Sequence, residues 1–200
     1  MIQTPFRERG ADYYDRVYAN GEYTAACQPV YGAVLDYLAR MPDPRVLEVG
    51  CGTGDLALQI VERKIPYRGF DLSPVAIDRG RARGLAQVQV GNAYDAVSYE
   101  PDDYNLVLAL EVFEHIDDLR ALRNFPPHKQ VLFSVPDYVE TSHLRAYQDP
   151  KRDIVEYYDG LLSIGTVLPF KFRSKAGITL TIFLTHAVTG NGPCTKPRAA

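Results

Sequence analysis

The 200-residue chain has no tryptophan, two methionines and only three cysteines. Cys27, Cys51 and Cys194 are odd in number and far apart, which argues against a disulfide framework and a Cys-x-x-Cys metal site. No apolar run approaches the ~18 residues that a membrane-spanning helix needs, and the charged N-terminus lacks the apolar core of a secretion signal. We therefore expect a cytoplasmic protein with reduced thiols and no membrane partner.

The chain also lacks a large excess of either charge, because it has 22 basic and 25 acidic residues and a net charge of -3. A non-specific nucleic-acid surface normally needs a strongly basic face. A nucleic-acid partner is therefore not expected, although a local basic groove would be compatible with one. The length and the hydrophobic fraction of 46% are ordinary for one globular domain with its own core.

Apolar runs alternate with helix-period segments, which is typical of an α/β sheet with crossover helices. Strands are predicted at 45–49, 67–71, 88–90, 104–110 and 130–135, and the last two are almost wholly apolar, as in a parallel sheet covered on both faces. Helices are predicted to begin at Asp55 and at Ser73-Pro74, a favoured cap and first residue. A helix over 149–158 and β segments at 161–172 and 179–187 are predicted to follow.

The strongest functional signal is the run Val46-Leu-Glu-Val-Gly-Cys-Gly-Thr-Gly-Asp55, a predicted strand that turns through three alternating glycines into a helix. Such a turn brings bare backbone and free amides close to a ligand. Dinucleotide enzymes favour G-x-G-x-x-G, whose amides bind a pyrophosphate. Here the spacing is G-x-G-x-G after Glu48, an acid that suits a ligand with a cationic amino-acid end. Asp71 ends the next predicted strand, where its oxygens can accept both hydroxyls of a ribose.

The run Leu47-Glu-Val-Gly-Cys-Gly-Thr-Gly54 resembles motif I of the class I S-adenosylmethionine-dependent methyltransferases. The likeness continues through Gly69-Phe-Asp-Leu-Ser-Pro74, Gly91-Asn-Ala-Tyr-Asp95 and Leu108-Ala-Leu-Glu-Val-Phe-Glu-His115, in the family's order and at its distances. The resemblance implies a Rossmann-like, mostly parallel seven-stranded sheet with helices on both faces. It also implies an enzyme that binds S-adenosylmethionine and releases S-adenosylhomocysteine.

The resemblance assigns ten residues to the cofactor. The methionine part would be held by the strand acid and the glycine loop: Glu48, Gly50, Cys51, Gly52 and Gly54. Asp71 would take the ribose hydroxyls, and Leu72 would pack on the adenine. Asn92 and Ala93 would meet the adenine edge, while Glu111 would lie beneath the sulfonium and the amino-acid end.

The run Glu111-Val-Phe-Glu-His115 places two acids and a histidine on one face if the segment is helical. With His143 they would make a reasonable set of ligands for a divalent metal. Similar runs occur in small-RNA terminal 2′-O-methyltransferases and in quinone-pathway O-methyltransferases. The alternative, which we favour, is that no metal binds, Glu111 faces the cofactor, and Glu114 and His115 begin a helix. His115 or His143 would then be the general base for a hydroxyl acceptor.

Two aromatic patterns remain. Tyr13, Tyr14, Tyr18 and Tyr23 either close over the cofactor or pack in the core, and core packing is preferred. The segment Phe170-Lys-Phe-Arg-Ser-Lys175 is better explained by alternation on a β hairpin than by stacking on nucleic acid.

The combined prediction is a single methyltransferase domain that methylates a small molecule, with O-methylation favoured. Its parts would be a helical cap at 1–44, a cofactor-binding core at 45–136 and an acceptor-side region at 137–190, followed by a flexible tail at 191–200. The alternatives are a metal-assisted RNA 2′-O-methyltransferase and a non-catalytic module that binds S-adenosylmethionine. A nicotinamide dehydrogenase is a more distant one.

Overall fold

The computed structural model describes residues 1–21, 28–174 and 177–190, so the predictions for Cys27, Cys194, Tyr23 and the tail 191–200 lie outside the described residues. The helices are α1 (Ala11–Asn20), α2 (Gln28–Arg40), α3 (Asp55–Glu62), α4 (Pro74–Ala82) and α5 (Asp118–Leu122). The strands are β1 (Ile2–Gln3), β2 (Val46–Val49), β3 (Tyr67–Asp71), β4 (Val88–Val90), β5 (Leu106–Leu110), β6 (Gln130–Pro136), β7 (Arg145–Ala146), β8 (Leu162–Arg173) and β9 (Thr179–Thr189). The helix predicted over 149–158 is a π-helical turn at Lys151–Glu156. No helix in the described ranges is long and apolar enough to span a bilayer.

Seven strands form one sheet in the order β4-β3-β2-β5-β6-β9-β8, and β1 pairs with β7 in a separate antiparallel ribbon. The strands from β4 to β6 are parallel, while β9 lies antiparallel between β6 and β8. The predicted Rossmann-like, mostly parallel seven-stranded sheet is confirmed. The chain runs outward from β2 to β4 and then crosses to β5 and β6 on the other side. Ligands of such sheets bind outside the carboxyl ends of the strands where this order reverses, here at β2 and β5.

Two hydrophobic clusters cover the two faces of the sheet, because successive side chains of a strand point to opposite faces. Along β5, Leu106 and Leu108 pack in the cluster that includes α2, α3 and α4, whereas Val107 and Ala109 pack in the other. Leu122 of α5 belongs to this second cluster. Helices therefore lie on both faces, as predicted, and all of β5 is buried.

The segment between β5 and α5 is not helical, so the prediction that Glu114 and His115 begin a helix is wrong. The segment forms turns, and Glu111 has a left-handed backbone with a φ of 53°. This conformation is uncommon for a residue with a side chain and cannot continue a right-handed helix. α5 begins only after Asp117, whose side chain caps it by accepting a hydrogen bond from the amide of Arg120 at 3.3 Å.

Gly54 closes the glycine loop and precedes α3 with a left-handed backbone, at a φ of 83°. A Cβ on this residue would overlap the Cδ1 atom of Leu85, which is 1% exposed. Gly54→Ala therefore combines backbone strain with overpacking, and we expect the free energy of unfolding in urea to fall by about 1–3 kcal/mol.

The control for this prediction is Gly32→Ala in α2. A Cβ there meets nothing within 4 Å among the described residues outside its own helical backbone, and alanine favours a helix. We expect this variant to be at least as stable as the wild type. Equal stability of the Gly54 and Gly32 variants would contradict the role given to Gly54.

Candidate active site

A cavity opens at the carboxyl ends of β2, β3 and β5, where the strand order reverses. This is the place where sheets of this type bind their ligands. Seven of the residues predicted from the sequence line it: Gly50, Asp71, Leu72, Asn92, Ala93, Glu111 and His115. They come from separate segments of the chain, which the parallel strands bring to one edge of the sheet.

Five other predicted site residues do not line this cavity in the described structure: Glu48, Cys51, Gly52, Gly54 and His143. Glu48 is 5% exposed and accepts a hydrogen bond from the hydroxyl of Tyr67 at 2.6 Å. Cys51 is a buried free thiol whose pKa is raised by burial. Glu48 and Cys51 are therefore buried at the base of the glycine loop, and their assignment to the cofactor stays a prediction.

Two backbone amides hold Asp71 at the end of β3. Its Oδ2 accepts from the amide of Gly52 at 2.9 Å, and its Oδ1 accepts from the amide of Ser73 at 2.8 Å. These bonds fix the carboxylate and tie the glycine loop to β3. A carboxylate has about four acceptor positions, so Asp71 keeps acceptor capacity for a hydroxyl of a ligand.

The N-terminal segment covers the cavity. It supplies four lining residues that the motifs did not assign: Glu8, Arg9, Tyr14 and Tyr18. Asp15 anchors α1 by accepting from the hydroxyl of Ser73 at 2.5 Å. Tyr18 is 4% exposed and also lines the cavity. The core and cavity roles that the sequence presented as alternatives for the tyrosines are therefore combined in this residue.

Glu111 places a second carboxylate in the cavity wall. Its Oε1 accepts from the hydroxyl of Ser134 at 2.9 Å, and its Oε2 lies 3.5 Å from the hydroxyl of Tyr138. Burial raises the pKa of Glu111 to about 7. The two hydrogen bonds oppose this rise because they favour the charged form. An acceptor group at this point suits a ligand with a cationic end.

Glu114, His115 and His143 form a compact cluster beside the cavity, with ligand atoms that all lie within 4.8 Å of one another. The Nδ1 atoms of His115 and His143 lie 3.0 and 3.1 Å from the carbonyl oxygens of Ser142 and Tyr138. Because a carbonyl oxygen only accepts, both imidazoles donate from Nδ1 and keep a lone pair at Nε2. Both carboxylate oxygens of Glu114 are buried and lack a hydrogen-bond partner among the described residues.

This donor set fits a divalent cation. A carboxylate and two imidazole nitrogens are common ligands, and metal-binding histidines usually donate their other nitrogen to an oxygen, as these two do. Burial and the nearby Glu111 raise the pKa of Glu114 well above its ordinary value, so its charged form is unfavourable until a positive charge lies next to it. The sequence favoured no metal, and the cluster now gives a specific reason to test for one.

The protonation of the histidines bears on the predicted general base. Burial and the nearby His143 lower the pKa of His115 to about 4. Burial lowers the pKa of His143 as well. A general base works best when its pKa lies near the operating pH, so His115 is less basic than that role requires. His143 is 3% exposed and packs against His115 with ring centroids 4.8 Å apart.

A buried ion pair holds the turn that carries this cluster. The Nη1 of Arg145 lies 2.6 Å from the Oδ1 of Asp118, and the two side chains are 6% and 0% exposed. The same Nη1 donates to the carbonyl oxygen of Phe113 at 3.0 Å. The Oδ2 of Asp118 accepts from the hydroxyl of Tyr158 at 2.7 Å. Since Phe113 directly precedes Glu114, this network fixes the backbone from which Glu114 projects.

Glu48 predicts a pH dependence of stability. Burial raises the pKa of Glu48 to about 8, Asp71 and Asp55 add to the rise, and the hydrogen bond from Tyr67 opposes it. The folded protein therefore keeps a proton that the unfolded chain releases near pH 4.5. The stabilisation is complete below that pH and is lost as the pH rises through about 8.

We therefore expect the free energy of unfolding to fall as the pH rises from about 4.5 to about 8. The Glu48→Gln substitution should make this fall shallower. Urea denaturation at a series of pH values measures both effects. The control is Glu62→Gln, since Glu62 is exposed at the end of α3. A Glu48→Gln profile with the wild-type slope would show that Glu48 is not the group responsible.

The fold and the cavity define a ligand-binding α/β protein of the Rossmann-like type. Residues 23–161 match the family described as a methyltransferase domain, and the chain therefore belongs to that family. The ubiquinone biosynthesis O-methyltransferase of Xanthomonas campestris pv. campestris (strain B100) is 31% identical over 96 residues, which cover 44% of this chain and 40% of that protein. The enzyme of that description from Alkalilimnicola ehrlichii is 30% identical over 138 residues, or 60% of this chain and 56% of that protein. The chain thus spans about half the length of the curated relatives it matches.

Solved structures share the fold over most of the chain. The magnesium protoporphyrin IX methyltransferase from Synechocystis PCC 6803 with bound S-adenosylmethionine has a TM-score of 0.67 at 16% identity, covering 90% of this chain and 95% of that one. A [4+2]-cyclase has a TM-score of 0.71 at 16% identity, covering 96% and 100%. Identities this low show the fold alone, and one fold serves several reactions. The reaction must therefore be argued from the site.

Proposed function

We propose that this protein is an S-adenosylmethionine-dependent methyltransferase that methylates a hydroxyl group of a small molecule. The observation that carries the proposal is the cavity at the strand-order reversal, where the glycine loop, Asp71 and Glu111 meet. Membership of the methyltransferase-domain family supports it. S-adenosylmethionine has a cationic sulfonium and amino group, which carboxylates in the wall would attract, and it would leave as S-adenosylhomocysteine.

The lining residues divide into three parts along the proposed cofactor. Asp71 would accept hydrogen bonds from the ribose hydroxyls. Leu72 and Ala93 would enclose the adenine, with Asn92 at its edge. Gly50 and Glu111 would face the methionine part, and the rest of the glycine loop with its strand acid would complete the support of that part: Glu48, Cys51, Gly52 and Gly54. Methyl transfer is an in-line displacement, so the main tasks of the protein are to align donor and acceptor and to exclude water.

A hydroxyl acceptor is supported by the relatives that match part of this chain, because two of them are ubiquinone biosynthesis O-methyltransferases. His115 lines the cavity, and His143 lies directly behind it. We assign the acceptor side to this pair and the residues after β6. The proposal includes a cytoplasmic location, a small-molecule partner, and division of the domain into a cap at 1–44, a cofactor-binding core at 45–136 and an acceptor-side region at 137–190.

A second candidate is a methyltransferase that requires a divalent cation. Glu114, His115 and His143 would hold the ion, which when bound would supply a Lewis acid for the acceptor hydroxyl. The observation that favours it is the buried carboxylate of Glu114, without a partner among the described residues, facing two available imidazole nitrogens. A metal-assisted RNA 2′-O-methyltransferase is the form of this candidate whose acceptor is an RNA end.

Transfer of label from isotope-labelled S-adenosylmethionine into a fractionated extract of the native host, with and without a chelator, tests these candidates. Label in the small-molecule fraction supports the main proposal. Loss of that label on chelation, restored by Mg²⁺ or Mn²⁺, selects the cation-dependent form, and nuclease-sensitive label selects RNA. Binding of S-adenosylmethionine without transfer would make the chain a non-catalytic module, while displacement of the cofactor by NAD would favour a dehydrogenase.

A further inference from the structure

Asn92 holds its side-chain amide in one orientation in the cavity wall that follows β4. Its Oδ1 accepts a hydrogen bond from the backbone amide of Tyr94 at 2.9 Å. Because a backbone N–H only donates, the atom that faces Tyr94 is the oxygen, and the two ends of the side-chain amide cannot be exchanged. An asparagine that bonds the backbone two residues on forms a well-defined local turn. The end that remains for other contacts is therefore Nδ2.

The other polar groups of Asn92 are bonded within the protein. Its backbone nitrogen donates to the hydroxyl of Ser98 at 3.0 Å, and its carbonyl oxygen accepts from the amide of Asp95 at 3.0 Å. By contrast, Nδ2 has no hydrogen-bond partner among the described residues and is accessible rather than buried. Since Asn92 lines the cavity, this nitrogen is available to a ligand as a hydrogen-bond donor.

The neighbouring Ala93 adds a second donor to the same part of the wall. Its carbonyl oxygen accepts from the hydroxyl of Tyr99 at 3.0 Å and from Nδ2 of Asn124 at 3.1 Å. Its backbone nitrogen forms no hydrogen bond among the described residues. The oxygens of Asn92 and Ala93 are thus occupied inside the protein, and the polar groups that these two residues leave for a ligand are N–H groups.

We propose that Asn92 recognises the base of the cofactor through a ring nitrogen and does not bind its amino group. The inference rests on the proposed function, which places the adenine against Asn92 and Ala93. The ring nitrogens of adenine accept hydrogen bonds, whereas its amino group donates them. Nδ2 opposite the amino group would bring two donors together, whereas a ring nitrogen supplies the acceptor that Nδ2 lacks. Asn92 therefore selects the base by its ring.

Analogues of S-adenosylhomocysteine that each lack one group of the base test this inference on the wild-type chain. One carries purine, which has no amino group. The others are the 1-deaza, 3-deaza and 7-deaza forms, in which a C–H group replaces one ring nitrogen. Calorimetry gives the affinities. We expect the purine analogue to bind within about threefold of S-adenosylhomocysteine, and one deaza analogue to bind about tenfold or more weakly. The inference fails if removal of the amino group costs about tenfold, or if no ring nitrogen matters.

Asn92→Asp connects the sensitive ring nitrogen with this residue. Aspartate keeps an oxygen for the amide of Tyr94 and replaces Nδ2 by a second oxygen, which repels a ring nitrogen. The affinity for S-adenosylhomocysteine should fall by about tenfold or more, and the sensitive deaza analogue should then bind no more weakly than S-adenosylhomocysteine itself. An Asn92→Asp protein that binds S-adenosylhomocysteine as tightly as the wild type, or more tightly, would contradict the proposed donor role.

Gln89→Glu is the matched control for the added charge. Gln89 is exposed in β4, close to Asn92 along the chain, and does not line the described cavity. This variant should bind S-adenosylhomocysteine like the wild type, and an equal loss in both variants would trace the effect to charge alone. Thermal melting verifies that each variant is folded, and the analogue series on the wild type needs no variant.

The two proposals fail in different ways. A wild-type protein that binds neither S-adenosylmethionine nor S-adenosylhomocysteine refutes the proposed function. Equal affinities for all the analogues, in a protein that does bind S-adenosylhomocysteine, refute only the role of Asn92.

Discussion

Glu114→Gln is expected to lower the rate of methyl transfer by about a hundredfold or more while leaving the stability of the fold intact. Glutamine keeps the shape of the side chain but cannot supply the carboxylate that, in the cation-dependent form of the proposed function, would hold the ion with His115 and His143. The stability should not fall, because both carboxylate oxygens are buried without a partner among the described residues. Burial and the nearby Glu111 disfavour the charged form more than Arg145 favours it, so the loss of this charge should not weaken the fold. Single-turnover rates at saturating S-adenosylmethionine, together with melting temperatures, measure the two effects.

Glu140→Gln is the control for this experiment. The carboxylate of Glu140 lies 4.0 Å from Nε2 of His143, yet its side chain is 64% exposed. Loss of its charge should therefore leave the rate close to that of the wild type. The assignment would not survive a Glu114 variant with the wild-type rate, or a Glu140 variant with an equal loss.

Arg145→Met is expected to produce the largest loss of stability, about 3–5 kcal/mol in the free energy of unfolding. The substitution leaves the carboxylate of Asp118 buried without its counter-charge. It also removes the hydrogen bond to the carbonyl oxygen of Phe113. Urea denaturation gives the size of the loss, and the fold should remain recognisable by circular dichroism at low denaturant.

The double variant Asp118→Leu with Arg145→Met tests the cause of this loss. It removes both charges, so it should be less destabilised than the sum of the two single variants. Arg152→Met is the matched control, because Arg152 also forms an ion pair, with Asp153 at 2.7 Å, but is 61% exposed. Little change is expected for Arg152→Met. A strictly additive double variant would show that the two charges do not act as a pair.

The central strands and the floor of the cavity could be predicted because their local sequence agrees with their place in the fold. β3 and β4 have the predicted limits. Ser73 caps α4 through the amide of Ala76 at 3.1 Å, with Pro74 at the start of the helix, as the pattern indicated. Short apolar runs, caps and glycine turns are properties of neighbouring residues, and the motifs that carry Asp71 and Asn92 follow directly after such strands.

The parts that were missed depend on contacts between distant segments or on a local exception. The hydroxyl of Tyr94 donates to Glu8 at 2.7 Å, across 86 positions of the chain. No local pattern identifies such a contact. The sequence gives no reason to place Arg145 in the interior, yet its side chain is buried in an ion pair with Asp118. Glu111 adopts a left-handed backbone that glutamate seldom takes, so periodicity could not place the turn.

The position of β9 between β6 and β8 affects how the chain folds as it is made. Gln130 of β6 pairs with Val188 of β9. One edge of β6 therefore stays unpaired until β9, which is synthesised much later, has left the ribosome. Until then β6 presents an unpaired edge, although every residue after Gln130 in that strand is buried in the finished fold. A nascent chain that stops at residue 161, where the family match ends, lacks both β8 and β9. Such a chain exposes a hydrophobic strand edge that is open to pairing with other chains.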